Sequence, residues 1–174
     1  MSTSTAKQMN LNQTFISEIK YEAATSRKIL ERIPAKKFDW KPHEKSMSFG
    51  RLAVHIPEMF DYIPLIINKP EIDFAVEDYN AIKPETTDEM LAYFDECIGR
   101  ANEALENASD ETFIENWSMK NGDTVYFTMP KIQCIRAFCL NHIYHHRGQL
   151  SVYLRMNDIP VPSVYGPSAD ESPF

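Results

Sequence analysis

Two histidines one helical turn apart are the residues most suggestive of chemistry in this 174-residue chain. His142 and His146 stand four apart in a segment whose apolar residues recur at helical spacing, so both imidazoles face the same side of the predicted helix. His55 lies on the otherwise apolar face of another predicted helix. Three imidazoles that converge from two helices would bind one divalent transition metal ion, and imidazole suits zinc, nickel, copper and iron alike.

A purely structural explanation of these histidines stays open at this level. A single histidine on an apolar face is more often hydrogen-bonded in the core than a ligand, and pairs spaced by four arise by chance. The metalloprotease signature H-E-x-x-H is absent, because Ile143 follows His142. His145 is rotated by about 100° from His146 around the helix, and His43 lies in a polar loop. Neither is predicted to be a ligand.

Four segments with apolar residues near the 3.6-residue period predict the helices that carry these histidines. Pro34 ends the first of them, and Ser46 or Ser48 caps the second. Pro57 and Pro64 fall inside the second helix, which is therefore predicted to be bent or broken. The predicted helices cover Leu11 to Arg32, the serine cap to about Ile63, Thr86 or Thr87 to Leu105, and Pro130 to Met156.

Two long connections and a proline-rich tail complete the chain. The connection from Asn68 to Glu85 is predicted to be irregular, and the one from Trp117 to Met129 contains Asn121-Gly122, a hairpin signal. The tail from Ile159 to Phe174 contains four prolines and is predicted to lie irregularly over the helices. The predicted fold class is all-α: a four-helix bundle with long crossover connections and an irregular C-terminal tail, in one domain over residues 1–174.

The charge and composition exclude several classes of function. The net charge is −7, whereas nucleic-acid binding requires a basic surface. No apolar run approaches the roughly 20 residues that cross a bilayer, and the polar N-terminus lacks the apolar core of a secretory signal. The cysteines Cys97, Cys134 and Cys139 are odd in number and show no C-x-x-C spacing. We therefore expect reduced thiols in a cytoplasmic protein with no nucleic-acid or membrane partner.

Four motifs together resemble those of a known family. The segment Asn141–Leu150 contains H-x-x-x-H-R-G-Q-L, and Ser46–Ile56 has a serine-led helix start with a leucine three residues before its histidine. Asp39–Pro42 contains W-x-P, and Tyr165–Glu171 forms the tail motif. They resemble motifs of the DinB/YfiT-like family of metal-dependent four-helix-bundle proteins, over most of the chain. The turn, second-helix and closing-helix motifs follow one another in the family's order at compatible spacing, and the tail is like the ending of one branch of the family.

The resemblance implies a four-helix bundle, a divalent metal ion held by three histidines, and a homodimer. Zinc and nickel are the metals most typical of the family. Members with an assigned reaction resemble thiol S-transferases and related metal-dependent hydrolases or isomerases, and others have none. The damage induction in the family name concerns regulation and not DNA binding, which agrees with the acidic charge here.

Two hypotheses about function follow. In the first, the chain is a metalloenzyme that transfers a thiol to a small molecule or hydrolyses it. In the second, it is a non-catalytic metal-binding or dimerising module of the damage- or stress-response type. No catalytic nucleophile is assigned, and Cys139, three residues before His142, is interpreted as a small core residue. Residues that could hydrogen-bond a ligand histidine or contact a substrate are Glu58, Tyr62, Tyr144 and Gln149.

Overall fold

The computed structural model describes residues 10–77 and 80–172, which are mostly helical. Short connecting elements lie between long helices, and one 3-10 turn (Ala35–Lys37) follows the first helix. In chain order the elements are α1 (Leu11–Leu30), α2 (Phe49–Asn68), β1 (Glu71–Asp73), α3 (Thr87–Glu106), α4 (Asp110–Ile114), β2 (Asn116–Asn121), β3 (Thr124–Pro130), α5 (Lys131–Gln133), a π-helical segment (Cys134–Leu140) and α6 (Asn141–Met156).

The four long helices surround one hydrophobic core. α3 packs against both α1 and α2, and α6 packs against the same two helices. Large side chains such as Phe15, Ile19, Phe60 and Phe94 are almost fully buried between them. The apolar face of each helix therefore supplies the core, as the periodicity predicts. Among the described residues, no helix is long and apolar enough to cross a membrane.

Side-chain caps fix the starts of α2 and α3. Ser48 Oγ accepts from the backbone N–H of Arg51 at 3.3 Å, and Thr86 Oγ1 accepts from that of Glu89 at 3.1 Å. Of the predicted bend or break in α2, the break is wrong, because the helix runs through Pro57 and Pro64 without interruption. Each proline removes only its own N–H bond, and tertiary packing of a strongly apolar helix outweighs that local loss.

A small sheet corrects the all-α prediction. β2 and β3 form the hairpin predicted at Asn121-Gly122, antiparallel and with a register irregularity between Met119 and Lys120. The unexpected strand is β1, which pairs in parallel with β2 inside the connection predicted to be irregular. The sheet order is β1-β2-β3. Trp117 and Met119 on its inner side are buried in the hydrophobic core.

The turn before α2 fixes the position of that helix. Two backbone bonds join it to the helix start: the Phe49 N–H donates to Trp40 at 2.7 Å, and the Gly50 N–H donates to Phe38 at 2.9 Å. The Trp40 ring packs edge-on against Tyr153 in α6. A Cβ at Gly50 would lie 2.8 Å from the Cβ of Phe38, so a side chain there would push the turn away. This contact holds α2 in register with α6.

The described part of the tail is irregular and is attached to the helices by ion pairs. Asp170 binds Arg155 at 2.5 Å, and Glu171 pairs with Arg32 in the segment after α1. The backbone N–H of Val161 donates to Asp170 at 2.8 Å, which folds the tail onto itself. The tail therefore joins the end of α1 to the end of α6.

Candidate metal centre

Three histidines converge between α2 and α6. His55 comes from the middle of α2, and His142 and His146 come from the first turns of α6, directly after the π-helical segment. Their ring centroids are 5.1 Å apart for His55 and His142, 4.8 Å for His55 and His146 and 4.5 Å for the α6 pair. One nitrogen from each ring can be chosen so that all three lie within 4.8 Å of one another.

A carboxylate orients His55. Its Nδ1 lies 2.7 Å from Glu58 Oε2, and Arg51 donates to the same oxygen at 2.9 Å. Because a carboxylate paired with arginine is ionised and only accepts, the His55 Nδ1 carries the proton. Its Nε2 therefore keeps a lone pair for a ligand.

The two histidines of α6 are oriented in the same way. His146 Nδ1 lies 2.7 Å from Gln149 Oε1, and the His142 ring hydrogen-bonds to the backbone of Phe138. The other nitrogen of His146, Nε2, is buried and has no hydrogen-bond partner among the described residues. A buried, unpartnered imidazole nitrogen costs free energy unless a ligand binds it.

Burial keeps the imidazoles of α6 neutral. The pKa of His146 is lowered to about 4, chiefly by desolvation and in addition by the neighbouring histidines, while the Gln149 hydrogen bond opposes the shift. Desolvation also lowers the pKa of His142, with His55 as the next cause. Both rings are therefore unprotonated at neutral pH, which is the form that binds metal.

The donor set fits a divalent transition metal ion. Three rings each give an N–H to an outer acceptor and keep the second nitrogen for the centre, the usual arrangement around a metal-bound histidine. A tetrahedral ion at 2.0–2.1 Å needs ligand nitrogens roughly 3.4 Å apart. The three nitrogens here lie within 4.8 Å of one another. They reach the separation that an ion needs if each ring moves by less than about an ångström.

The residues predicted near the site divide into two groups. Glu58 and Gln149 hydrogen-bond His55 and His146, as described above. Tyr62 packs its ring at 5.1 Å from Phe138, whose own ring is 5.9 Å from His142. Tyr144 contacts another region, because its hydroxyl donates to Glu18 of α1 at 3.4 Å.

The remaining candidates behave as the sequence indicates. His145 is exposed and is not among the converging nitrogens. Cys139 is fully buried, and burial raises the pKa of its thiol well above the usual value. A thiol in that state is unreactive at neutral pH, so it serves as a core residue.

Sequence reasoning missed two contributors to the site. Arg51 stands seven residues before Glu58 and therefore on the same helix face, which is the signal that could have found it. The seven-residue π-helical segment carries Phe138, which contacts His142. π-helical turns are frequent at functional sites, but no residue pattern in this segment distinguishes it from an α-helix.

Comparison with known proteins agrees with this architecture. The sequence model that describes the DinB family matches residues 1–173 of this chain. This chain belongs to the DinB family. It is 23% identical over 159 residues to the uncharacterized protein YrdA of Bacillus subtilis (strain 168), covering 90% of this chain and 89% of that protein.

Two solved DinB-like structures share the fold. One, from Bacillus cereus ATCC 10987, has a TM-score of 0.64 at 23% identity and covers 87% of this chain and 95% of that one. The other, YjoA from Bacillus subtilis, has a TM-score of 0.67 at 17% identity and covers 87% and 96%. At these identities the likeness concerns the fold of this DinB protein and not its reaction.

Proposed function

We propose that this protein is a metal-dependent enzyme that holds one divalent ion, zinc or nickel, through His55, His142 and His146. The observation that carries the proposal is the buried Nε2 of His146, which lacks a partner among the described residues and belongs to the converging set. The sequence predicts the same three residues, His142 and His146 from their spacing and His55 from its place on an apolar helix face, which supports the proposal.

The surrounding residues prepare the site for an ion. Glu58, Phe138 and Gln149 each accept a hydrogen bond from one ring, so the ring orientations are set before an ion binds. The second nitrogens remain available for coordination. When bound, a divalent ion held by three imidazoles supplies Lewis-acid chemistry at its remaining coordination positions, where the pKa of a water or a thiol falls.

The reaction we propose is thiol transfer to an electrophilic small molecule, with hydrolysis as the related reaction. In thiol transfer, the sulfur forms a bond to the electrophilic carbon, the leaving group departs with its electron pair, and the thiol proton passes to solvent. The buried Cys139 does not act as the nucleophile, so the thiol is a second substrate. In hydrolysis, water takes the place of the thiol.

A non-catalytic metal-binding or dimerising module of the damage or stress response is the alternative. It predicts metal uptake without turnover of a thiol and an electrophile. Light scattering tests the homodimer separately: we expect a particle of twice the chain mass of 20.1 kDa. A monomer at micromolar concentration would contradict the dimer and leave the metal site untouched.

The decisive experiment compares metal content and fold in one variant. We expect His142→Ala to lose nearly all zinc or nickel uptake, measured by elemental analysis and competition with a chelator. Its thermal unfolding without metal should stay close to that of the unaltered protein, because a chain of this size buries enough surface to fold without an ion. His145→Ala is the matched control and should keep its metal.

Two results would contradict the proposal. If His142→Ala retains full metal affinity, the site is misassigned. If the metal-free protein is unfolded, the ion is structural and the enzymatic role loses its support. For the metal-loaded protein, turnover of a thiol with 1-chloro-2,4-dinitrobenzene, or of p-nitrophenyl acetate with water, should be lost in the same variant.

A further inference from the structure

A separate cavity adjoins the histidine cluster. It lies among α2, β1 and α3 and has a volume of about 190 Å³. Among the described residues, its walls do not include the three histidines, but they include Glu58 and Tyr62. Glu58 contacts His55 at 2.7 Å, so one carboxylate borders both the cavity and the histidine cluster.

Tyr62 makes the second connection. Its ring lies 5.1 Å from Phe138, which lies 5.9 Å from His142. Glu58 and Tyr62 therefore connect the lining of the cavity to the histidine cluster, Glu58 directly and Tyr62 through Phe138. This position suits the part of a substrate that binds but does not react.

The inner wall of the cavity is apolar. Leu65, Ile72 and Phe74 supply it, and Ile72 is buried by β1 pairing with the hairpin. An apolar cavity of about 150 Å³ accommodates benzene. The volume here is therefore suited to a single ring or a short branched chain.

Carboxylates dominate the polar lining, which also includes the phenols of Tyr62 and Tyr93 and the amide of Asn80. Three carboxylates, from Glu58, Asp61 and Glu77, line the cavity, and no lysine or arginine is among its described lining residues. Each of them pairs with a cation that is not among the described lining residues: Glu58 with Arg51, Asp61 with Arg100 and Glu77 with Lys69. A ligand that offers N–H donors or a positive charge would be bound here, whereas an anion would meet three carboxylates without a donor cation in the described lining.

The tyrosines do not alter this charge. Burial raises the pKa of Tyr62, with the Glu58 carboxylate as the next cause. Burial likewise raises the pKa of Tyr93. Both phenols stay protonated at neutral pH, so the carboxylates alone set the charge of the lining.

We propose that this cavity binds an amine-bearing small molecule, with its ammonium group at the carboxylates and its apolar body against Leu65, Ile72 and Phe74. Its reacting end extends past Glu58 and Tyr62 to the histidines. The statement that this amine is a substrate rests on the proposed function. Its binding in the cavity does not.

Three probes of the same size and different charge test the assignment: benzylamine, benzyl alcohol and benzoate. Ligand-observed NMR titration of the full-length protein should give benzylamine a dissociation constant at least tenfold below that of benzoate. Asp61→Asn should weaken benzylamine at least threefold and leave benzyl alcohol unchanged. Equal affinity for benzylamine and benzoate, or an equal effect of Asp61→Asn on the amine and the alcohol, would overturn the proposal.

Two further variants locate the binding. Leu65→Trp fills the cavity and should weaken benzylamine at least tenfold, whereas Val152→Trp, on the exposed side of α6, should not. Binding that is unchanged by Leu65→Trp would place the amine elsewhere. His142→Ala should still bind benzylamine, because the proposed binding in the cavity does not depend on the metal ion. If the amine instead bound to the ion, this variant would lose the amine together with the ion. Failure of the metal site and failure of the cavity are thus distinguished.

Discussion

Helix α6 carries two buried polar clusters, one facing α1 and one facing α2. In the cluster facing α1, Arg147 binds Glu22 at 2.7 Å, donates to Ser26 at 3.3 Å and contacts the Tyr165 hydroxyl. The side chains of Arg147 and Glu22 are 3% and 7% exposed. Opposite charges and hydrogen bonds here satisfy each other within the protein.

The cluster facing α2 is built from like groups. Three imidazoles converge, and the Nε2 of His146 finds no acceptor or donor among the residues that the structure describes. A buried cluster that is complete by itself holds helices together, whereas one that leaves a nitrogen open is suited to a ligand. Under the proposed function, one side of α6 therefore has a structural role and the other a binding role.

Breaking the Arg147 pair should give the largest loss of stability. Arg147→Met leaves the Glu22 carboxylate buried without its cation, which costs on the order of 3–5 kcal/mol. Urea unfolding in the presence of a chelator measures this loss. The double variant Glu22→Leu with Arg147→Met should recover most of it, since apolar replacement of a whole buried pair is often neutral.

The contrast between the two clusters would be wrong if Arg147→Met lowered the free energy of unfolding by less than about 1 kcal/mol, a value typical of exposed ion pairs. Metal uptake provides the other half of the test. The double variant should bind the same amount of zinc or nickel as the unaltered protein, because Arg147 and Glu22 bond to each other and to Ser26 and Tyr165, on the side of α6 that faces α1.

The histidine cluster should make the metal-free protein sensitive to acid. His146 has a pKa of about 4 when folded, against an ordinary value of 6.5. Between these values the unfolded chain binds a proton that the folded chain excludes, so stability falls as the pH falls from about 6.5 to 4. The shift corresponds to a loss of about 3 kcal/mol. The stability is regained above pH 6.5.

Unfolding free energies at several pH values test this dependence. His146→Asn carries no titrating ring and should lose less stability over the same range. The chelator must be present in both samples, because bound metal would stabilise the neutral rings. Parallel stability curves for the variant and the unaltered protein would show that His146 titrates normally and is not desolvated.

The sequence could predict the histidine cluster because its key information is local. A spacing of four puts His142 and His146 on one helix face whatever the rest of the fold does. The apolar neighbours of His55 likewise indicate that it faces the core. The same rule could have excluded Tyr144, which stands two residues from both histidines and so faces away from them.

The unforeseen features depend on partners distant in sequence. β1 has three residues, and it forms a strand only because β2 lies beside it. Glu22 and Arg147 are 125 residues apart, and no local pattern pairs them. Pro57 and Pro64 were expected to bend or break α2, but the helix is continuous, and the packing around a helix cannot be read from its prolines alone. Tertiary contacts outweigh local preference in each case.

Removing the charge beside His55 should weaken the metal site without destroying it. Glu58→Gln keeps an acceptor for the His55 ring but loses the carboxylate charge that Arg51 pairs with. Loss of a group that orients a metal ligand typically reduces affinity by about 10–100-fold. Competition with a chelating dye measures the change. Glu103→Gln, on the exposed side of α3, is the control, and an equal effect of both variants would exclude a specific role for Glu58.

The smallest effect concerns the tail that covers the Arg147 cluster. The Tyr165 hydroxyl donates to Glu22 at 2.7 Å, and its ring lies 4.9 Å from the Arg147 guanidinium. Tyr165→Phe removes one hydrogen bond from a cluster that retains its ion pair, and the side chain is 62% exposed. Water can replace the bond in part, so we expect a loss of about 0.5–1.5 kcal/mol by urea unfolding.

Tyr126→Phe is the matched control for this variant, because Tyr126 is 55% exposed on the hairpin, and a surface change of this kind stays within about 0.5 kcal/mol. Metal affinity should be the same in both variants, since the tail contacts the side of α6 that faces α1. A loss of metal affinity in Tyr165→Phe alone would mean that the two clusters communicate through α6. The separation of a structural from a binding side would then be wrong.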